Sequence, residues 1–338
     1  MDNPSPIDPK GGIRFNPFEP PHTFDATRCL ISGQPLQSDE ELRPVFTVEW
    51  MDNLNLWEQK LTLPHGGTLA YPDLKLPVRH ECWKGGLDAV ARKCPNLILA
   101  GAHADGWTNT EQIYQWLCWL FLGTLYAEMK AVQTHALQHQ AWTAPAFLQR
   151  YRMIHLSLQG ACYPLQYLGY DPGSVFILKI QDSATLQPLL VPSKSPSDSF
   201  DFKCSSNTQT LAVRVHGTGL MASLGDNGAH LAFFEDEFKP LRSLELMPIQ
   251  WDELFARMCY RNHLLRPVFE YGISYADAQD PTTYLQMRIP PEFAHQDAFE
   301  PWSDRDYASV LQQYLPGYGA DPRDATNSDR TPDATATA

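Results

Sequence analysis

Between Ile113 and Met129 the chain carries apolar side chains on nearly every face of a helix, and no other stretch constrains the fold as strongly. Ile113, Trp116, Leu117, Leu120, Phe121, Thr124, Leu125 and Met129 recur at three- and four-residue steps, and Cys118, Trp119 and Leu122 fill the flanking faces. A helix that is apolar all round is stable only when it is covered on more than one side. Its longest apolar run, residues 116–127, is about a dozen residues, short of the roughly 20 that a membrane span requires. The segment therefore reads as the central helix of a fold that does not enter the membrane. Asn109 or Thr110 can cap it, and Glu111 suits the positive end of the helix.

The remaining elements must surround that helix. With 338 residues, 43% of them apolar and 12% aromatic, there is enough side-chain volume for a substantial core. The 28 prolines and 20 glycines fall between apolar runs, so the elements should be short and mixed, an α+β class. Residues 60–63 and 68–71 predict two strands around a Gly-containing turn, and a helix should follow from about Glu81 to Lys93. A second helix over 145–158 would pack on the central one. From Ser174 the texture turns to β, with runs at 175–180, 210–215, 220–224, 268–275 and 283–289 that one antiparallel sheet would accommodate. In the 213–220 turn, the glycines would supply positive φ. Leu254, Phe255, Met258 and Leu265 lie on one helical face, able to cover that sheet. The chain thus divides into a Pro-rich extended arm (1–24), a hairpin-and-helix module (25–100), a helical region (101–170), a β-rich region with its covering helix (171–316) and a polar tail (317–338) expected to be disordered.

Charge and cysteine usage narrow the function. Lys and Arg number 26 against 39 Asp and Glu, a formal charge of -13 that repels phosphate. A nucleic-acid contact would need a local basic patch, and Arg14, Arg28, Lys75, Arg79, Lys84, Arg92 and Lys93 are the candidates. Seven cysteines without repeated spacing, and no cationic segment leading into an apolar one at the start, point to a reduced, cytoplasmic protein. No phosphate-binding loop, nucleophile elbow or C-x-x-C pair occurs. Gly217-Thr-Gly219 follows a strand but leads into more β texture, unlike a dinucleotide site. His135 and His139 share a helical face but lack the Glu of a metalloprotease motif, and Asp226-Asn-Gly228 is foremost turn chemistry.

One constellation carries a resemblance. Cys29-Leu-Ile-Ser32-Gly33 is followed by Arg43-Pro44-Val45-Phe46 and Trp50, then by Pro77-Val78-Arg79-His80-Glu81-Cys82-Trp83. This layout resembles bacterial HNH-type endonucleases, in which a C-x-x-C knuckle precedes E-H-V-F-P…W and a later P-C-C-x-x-C-N-N opens a helix. Tyr114-Gln-Trp116, Gly123, Tyr126, His155-Leu-Ser-Leu-Gln159, Ser174-Val-Phe176 and Asp226-Asn-Gly228 resemble blocks further along the same relatives. The resemblance implies a ββα-metal-like module over 25–100, a histidine general base and cysteines that hold zinc. Here the base position is Pro44, the knuckle partner of Cys29 is Ser32, Val78 and Arg79 stand where cysteines would, and Trp83 replaces an Asn.

The expectation is a frame with its chemistry lost, a binding or structural protein with no catalytic residue and no cofactor. The alternative is an active metal-dependent endonuclease using residues outside the eroded motif. Cys29, Cys82, His80 and His65 are the residual zinc ligands, and zinc or magnesium would be the cofactor in that alternative. A nucleic acid would contact Lys75, Arg79, Lys84, Arg92 and Lys93. A protein partner would use an exposed aromatic, for which Trp83 is the choice.

Overall fold

A computed structural model of the chain describes residue 18 and residues 27–38, 41–63, 67–99, 110–134, 150–169, 171–181, 200–266, 270–274, 280, 282–288 and 298–315. The arm apart from Phe18, the tail beyond 316, His65, His135 and His139 lie outside the described residues. The fold is α+β. Strand β1 (Leu42–Pro44) pairs antiparallel with β4 (Lys75–Pro77), and helix α1 (Val48–Asn53), capped by the Thr47 side chain, leads to the hairpin β2 (Lys60–Thr62) and β3 (Thr68–Ala70). Helix α2 (His80–Cys82) continues through a π turn at Trp83–Leu87 into α3 (Asp88–Leu99).

The central helix is α4 (Thr110–Thr134), and α5 (Arg152–Cys162) packs beside it. Strands β6 (Ser174–Ile180), β7 (Phe200–Ser205), β8 (Thr210–Val215), β9 (Thr218–Ser223) and β10 (Glu245–Leu246) form one sheet of order β10-β6-β9-β8-β7. Helix α6 (Ala229–Phe238) and α7 (Pro248–Leu264) lie on its outer face, with α8 (Asp304–Tyr314) against α7. Every residue of β8 and β9 is buried, which requires cover on both faces of the sheet. Leu211, Val213, Leu220 and Ala222 face the core around α4, while Ala212 and Met221 face Trp251, Phe255 and Met258 of α7. The result is a layer of helices, a sheet and a second layer of helices.

Two differences from the sequence reading have physical causes. The β texture does not form one antiparallel sheet: β11 (Glu270–Ser274) and β12 (Thr283–Arg288) join β5 (Leu165–Gly169) in a separate three-stranded sheet, and β12 runs parallel to β5. β5 lies in the stretch read as helical. Leu285 packs with Met153 and Leu156 of α5, so this small sheet covers a face of α5 that the large sheet does not reach. At the β8–β9 turn, positive φ falls on His216 (49°) rather than on a glycine.

The module over 25–100 has no core of its own. One apolar cluster runs from Cys29 and Trp50 through Trp116 and Phe121 to Phe200 and Leu224. Trp50 meets Trp116 edge to face at 5.4 Å, and Trp119 Nε1 donates to the Val45 carbonyl at 3.0 Å. Two glycines allow this approach. A Cβ on Gly86 would lie 1.8 Å from the Ala161 carbonyl oxygen, and one on Gly123 would lie 2.4 Å from a Val45 methyl.

Trp116, Leu120 and Phe121 are at most 1% exposed, so an alanine at any one should cost about 2–5 kcal/mol through lost transfer energy and a residual cavity. Gly86→Ala, which clashes with backbone, should lower the denaturation midpoint more than Gly123→Ala, which clashes with a side chain that can turn. Equal midpoints for the two, measured by urea unfolding, would contradict this packing.

Candidate functional site

The segment after Arg28 folds as a tight knuckle because its backbone closes on itself. Gly33 N–H donates to the Cys29 carbonyl at 2.8 Å, Cys29 N–H donates to Gln34, and Gly33 takes the left-handed φ of 69° that the turn needs. Leu30 N–H donates to Pro77, which sets the knuckle against β4. Cys29 Sγ accepts the Ser32 amide at 3.5 Å and the Arg79 amide at 3.3 Å. Its thiol stands 4.0 Å from Cys82 Sγ, so the two cysteines singled out in the sequence do meet. A third joins them: Cys162 Sγ, from α5, donates to the Cys82 carbonyl at 3.3 Å, and the Tyr163 hydroxyl lies 3.6 Å from Cys82 Sγ.

These sulfurs are thiols in an apolar setting. Burial, with the Cys82 contact, pushes the Cys29 thiol well above its ordinary value. The hydrogen bond with Cys162 and burial push Cys82 up to about 12, against a lowering contact from Cys29. A structural zinc site needs four donors converging tetrahedrally. Here the Ser32 hydroxyl accepts the Gln34 amide, Arg79 offers only its backbone N–H to Cys29, and His80 is solvent-exposed at the start of α2. Among the described residues no group of three or more His, Cys, Asp or Glu is arranged to hold a metal ion. Among the described residues, which do not include His65, these donors do not converge as a tetrahedral zinc site requires.

Helix α5 holds the knuckle in place. His155 and Gln159, four residues apart on one face, direct Nε2–H to the Leu30 carbonyl at 2.7 Å and Nε2 to the Ile31 carbonyl at 2.9 Å. His155 is fully buried, and burial lowers it to about 4, outweighing the raising effect of the Leu30 carbonyl. Glu41 holds the other side. Its carboxylate accepts the Gln37 amide at 2.6 Å and the His80 amide at 2.9 Å, and its carbonyl accepts the Val78 amide. Burial raises its pKa, but those amides and the Arg79 charge hold it below its ordinary value. Neither Glu41 nor Cys162 was singled out from sequence. Glu41 carries no motif signal, and Cys162 is one of seven cysteines without pattern.

The other expected site residues are placed as follows. Pro44 sits in β1 opposite Lys75, where its ring offers neither base nor ligand. Trp83 is buried, 7% exposed, with Trp119 at 5.8 Å and the Arg43 guanidinium 5.6 Å from its ring, so it cannot be the exposed aromatic of a protein interface. Trp83 thus places an apolar ring in the core beside the central helix rather than on the surface. Exposed aromatics are Trp57 and Trp302 among the described residues. Lys75, Lys84, Arg92 and Lys93 are exposed, but Arg92 pairs with Asp88 at 2.6 Å and the half-buried Arg79 with Glu81 at 2.8 Å, which weakens the basic patch.

A second polar centre brings together a serine, an aspartate and a histidine. Asp226, almost fully buried, accepts from Ser174 N–H at 2.9 Å, Ser174 Oγ–H at 2.7 Å, His230 N–H at 2.9 Å and His230 Nδ1–H at 2.8 Å. Nucleophilic catalysis would need the serine proton to go to the imidazole. Instead the hydroxyl donates to the carboxylate and accepts the Leu231 amide at 3.1 Å. The arrangement locks the start of β6 to the start of α6. Asn227 and Gly228, with φ of 52° and 74°, make the turn that allows it. No family model, curated protein or solved structure matches this chain.

Because His155 is neutral in the fold and titrates near 6.5 when unfolded, the unfolded chain alone takes up a proton between those values. Stability should therefore be full above about pH 6.5 and fall by about 3 kcal/mol toward pH 4. Urea unfolding at pH 7, 5.5 and 4.5 measures this slope, and His155→Gln should flatten it. Glu41→Gln should cost about 2 kcal/mol at pH 7, since it removes charge from two buried hydrogen bonds. The wild-type advantage over that variant should vanish as the pH falls through the lowered Glu41 value.

Proposed function

We propose that the chain is an HNH-endonuclease-like frame without its catalytic chemistry, acting as a binding or structural protein. The observation that carries this reading is the knuckle itself. Its backbone still turns two N–H groups onto Cys29 Sγ, yet the sulfur faces another protonated thiol, and Pro44 occupies the position of the base. Further support comes from the blocks that follow the motif. Trp116 packs on Trp50, Gly123 on Val45, His155 and Gln159 bond the knuckle, and Ser174 bonds Asp226. A frame in which these blocks meet one another is what the resemblance implies.

The partner chemistry follows from charge. At -13 overall, with Arg79 and Arg92 already paired to carboxylates, the chain gains little from displacing counterions on a nucleic acid. A protein or small-molecule partner is favoured. Purified protein incubated with plasmid DNA and with RNA, in magnesium, manganese or zinc, should cleave neither, and His80→Ala should change nothing. Cleavage abolished by His80→Ala would overturn the reading, and cleavage that survives it would favour an active site outside the motif.

A further inference from the structure

A cavity of about 580 Å³ opens where the three layers meet, between the first turns of α4, strand β5, the 171–175 turn into β6 and Leu231 of α6. That volume lies within the roughly 300–1,000 Å³ of small-molecule sites, and a junction between layers is a usual place for one. Its apolar wall includes Tyr114, Tyr167, Pro172 and Leu231, and its polar lining is Glu111, Gln166, Asp171 and Arg242.

The wall is held rigidly. Tyr114 donates its hydroxyl to the Leu224 carbonyl at 2.5 Å, and Tyr167 donates to Ser157 Oγ at 2.7 Å. The Ser174–Asp226 bonds fix the turn that carries Asp171 and Gly173, and a Cβ on Gly173 would lie 2.5 Å from the Tyr114 ring and 2.6 Å from the Ser223 carbonyl oxygen. A cavity with fixed walls loses little conformational entropy when a ligand enters.

The charges select the ligand. Two carboxylates, Glu111 and Asp171, and one guanidinium line the cavity, and Arg242 already has the Glu235 carboxylate 3.7 Å away. The α4 N-terminus would attract an anion, but Glu111 occupies its first turn. Burial and the neighbouring Asp226 charge raise the Asp171 carboxyl. A net charge of -13 draws cations toward the surface as a whole.

We propose that this cavity binds a small organic cation, its ammonium group held by Glu111 and Asp171 and its apolar body by Tyr114, Tyr167 and Leu231. The site is separate from the knuckle, and nuclease activity or its absence has no bearing on it. Calorimetric titration of the full chain with tryptamine, tryptophol and indole-3-acetate, which share a ring and differ in charge, tests the assignment. Tryptamine should bind about tenfold or more tightly than the other two, and Asp171→Asn and Glu111→Gln should each weaken it several-fold. Leu231→Trp, which fills the cavity, should abolish binding in protein whose circular dichroism is unchanged. Should that variant misfold, the two exposed carboxylate variants decide alone. No tryptamine binding at millimolar concentration, equal affinity for the three probes, tighter binding of indole-3-acetate, or full tryptamine affinity in both carboxylate variants would each overturn the proposal.

Discussion

A helix without a polar face has to be surrounded, and the covering of α4 is the constraint from which the rest of the architecture follows. Apart from the exposed Glu111 and Lys130 at its ends, residues 111–130 show little surface, and every neighbouring layer contributes to that burial. The knuckle module brings Val45, Trp50 and Trp83 to it, α5 lies along it, and the inner face of the large sheet closes the remaining side. Burial of each large apolar side chain is worth about 1.5–3 kcal/mol, so the cluster around α4 dominates what holds these segments together. Close approach matters as much as area, and Gly123 and Gly86 are the points where a side chain would force the layers apart.

That shared core explains what holds the knuckle turn in place. In a small isolated module the metal supplies the folding energy, about 10–16 kcal/mol for zinc-finger peptides, and its loss unfolds the chain. Here the same turn leans on a helix and a sheet. His155 and Gln159 satisfy the carbonyls of Leu30 and Ile31, Glu41 satisfies the amides of Gln37 and His80, and the sulfurs are neutral thiols that need no counter-charge. Neutral hydrogen bonds contribute only about 0.5–1.5 kcal/mol each, but leaving those buried groups unpaired would cost more. The polar interactions specify the position of the knuckle, and the apolar ones supply its stability.

Elements with a strong period were legible in the sequence. Helix α4 declared itself by apolar residues on every face, the β2–β3 hairpin by its turn, and α7 by Leu254, Phe255 and Met258 on one stripe. Pairing partners were not legible, because β5 fell in a stretch read as helical, β11 and β12 read as ordinary short strands, and nothing local shows that β12 takes β5, some 120 residues upstream and parallel, as its neighbour. The candidate site was half legible. Cys29 and Cys82 were placed together by motif layout, whereas Trp83 packs inward against Trp119, a partner distant in sequence that no local pattern shows. Glu41 acts through backbone amides, which carry no sequence signature.

Helix α5 connects the knuckle to the wall of the cavity. Its His155 and Gln159 reach the knuckle, its Ser157 accepts the Tyr167 hydroxyl in the cavity wall, and its Cys162 touches Cys82. Burial on nearly every face leaves α5 no freedom to turn without breaking one of these contacts. The knuckle therefore has a structural role that needs no metal and no base: it presents two carbonyls that fix the rotation of α5, and that rotation places Ser157 against Tyr167. Those carbonyls belong to the backbone, so the role does not depend on which side chains the knuckle carries. A turn can be required by the fold when its backbone positions another element, and here that element, α5, buttresses Tyr167 of the cavity wall through Ser157.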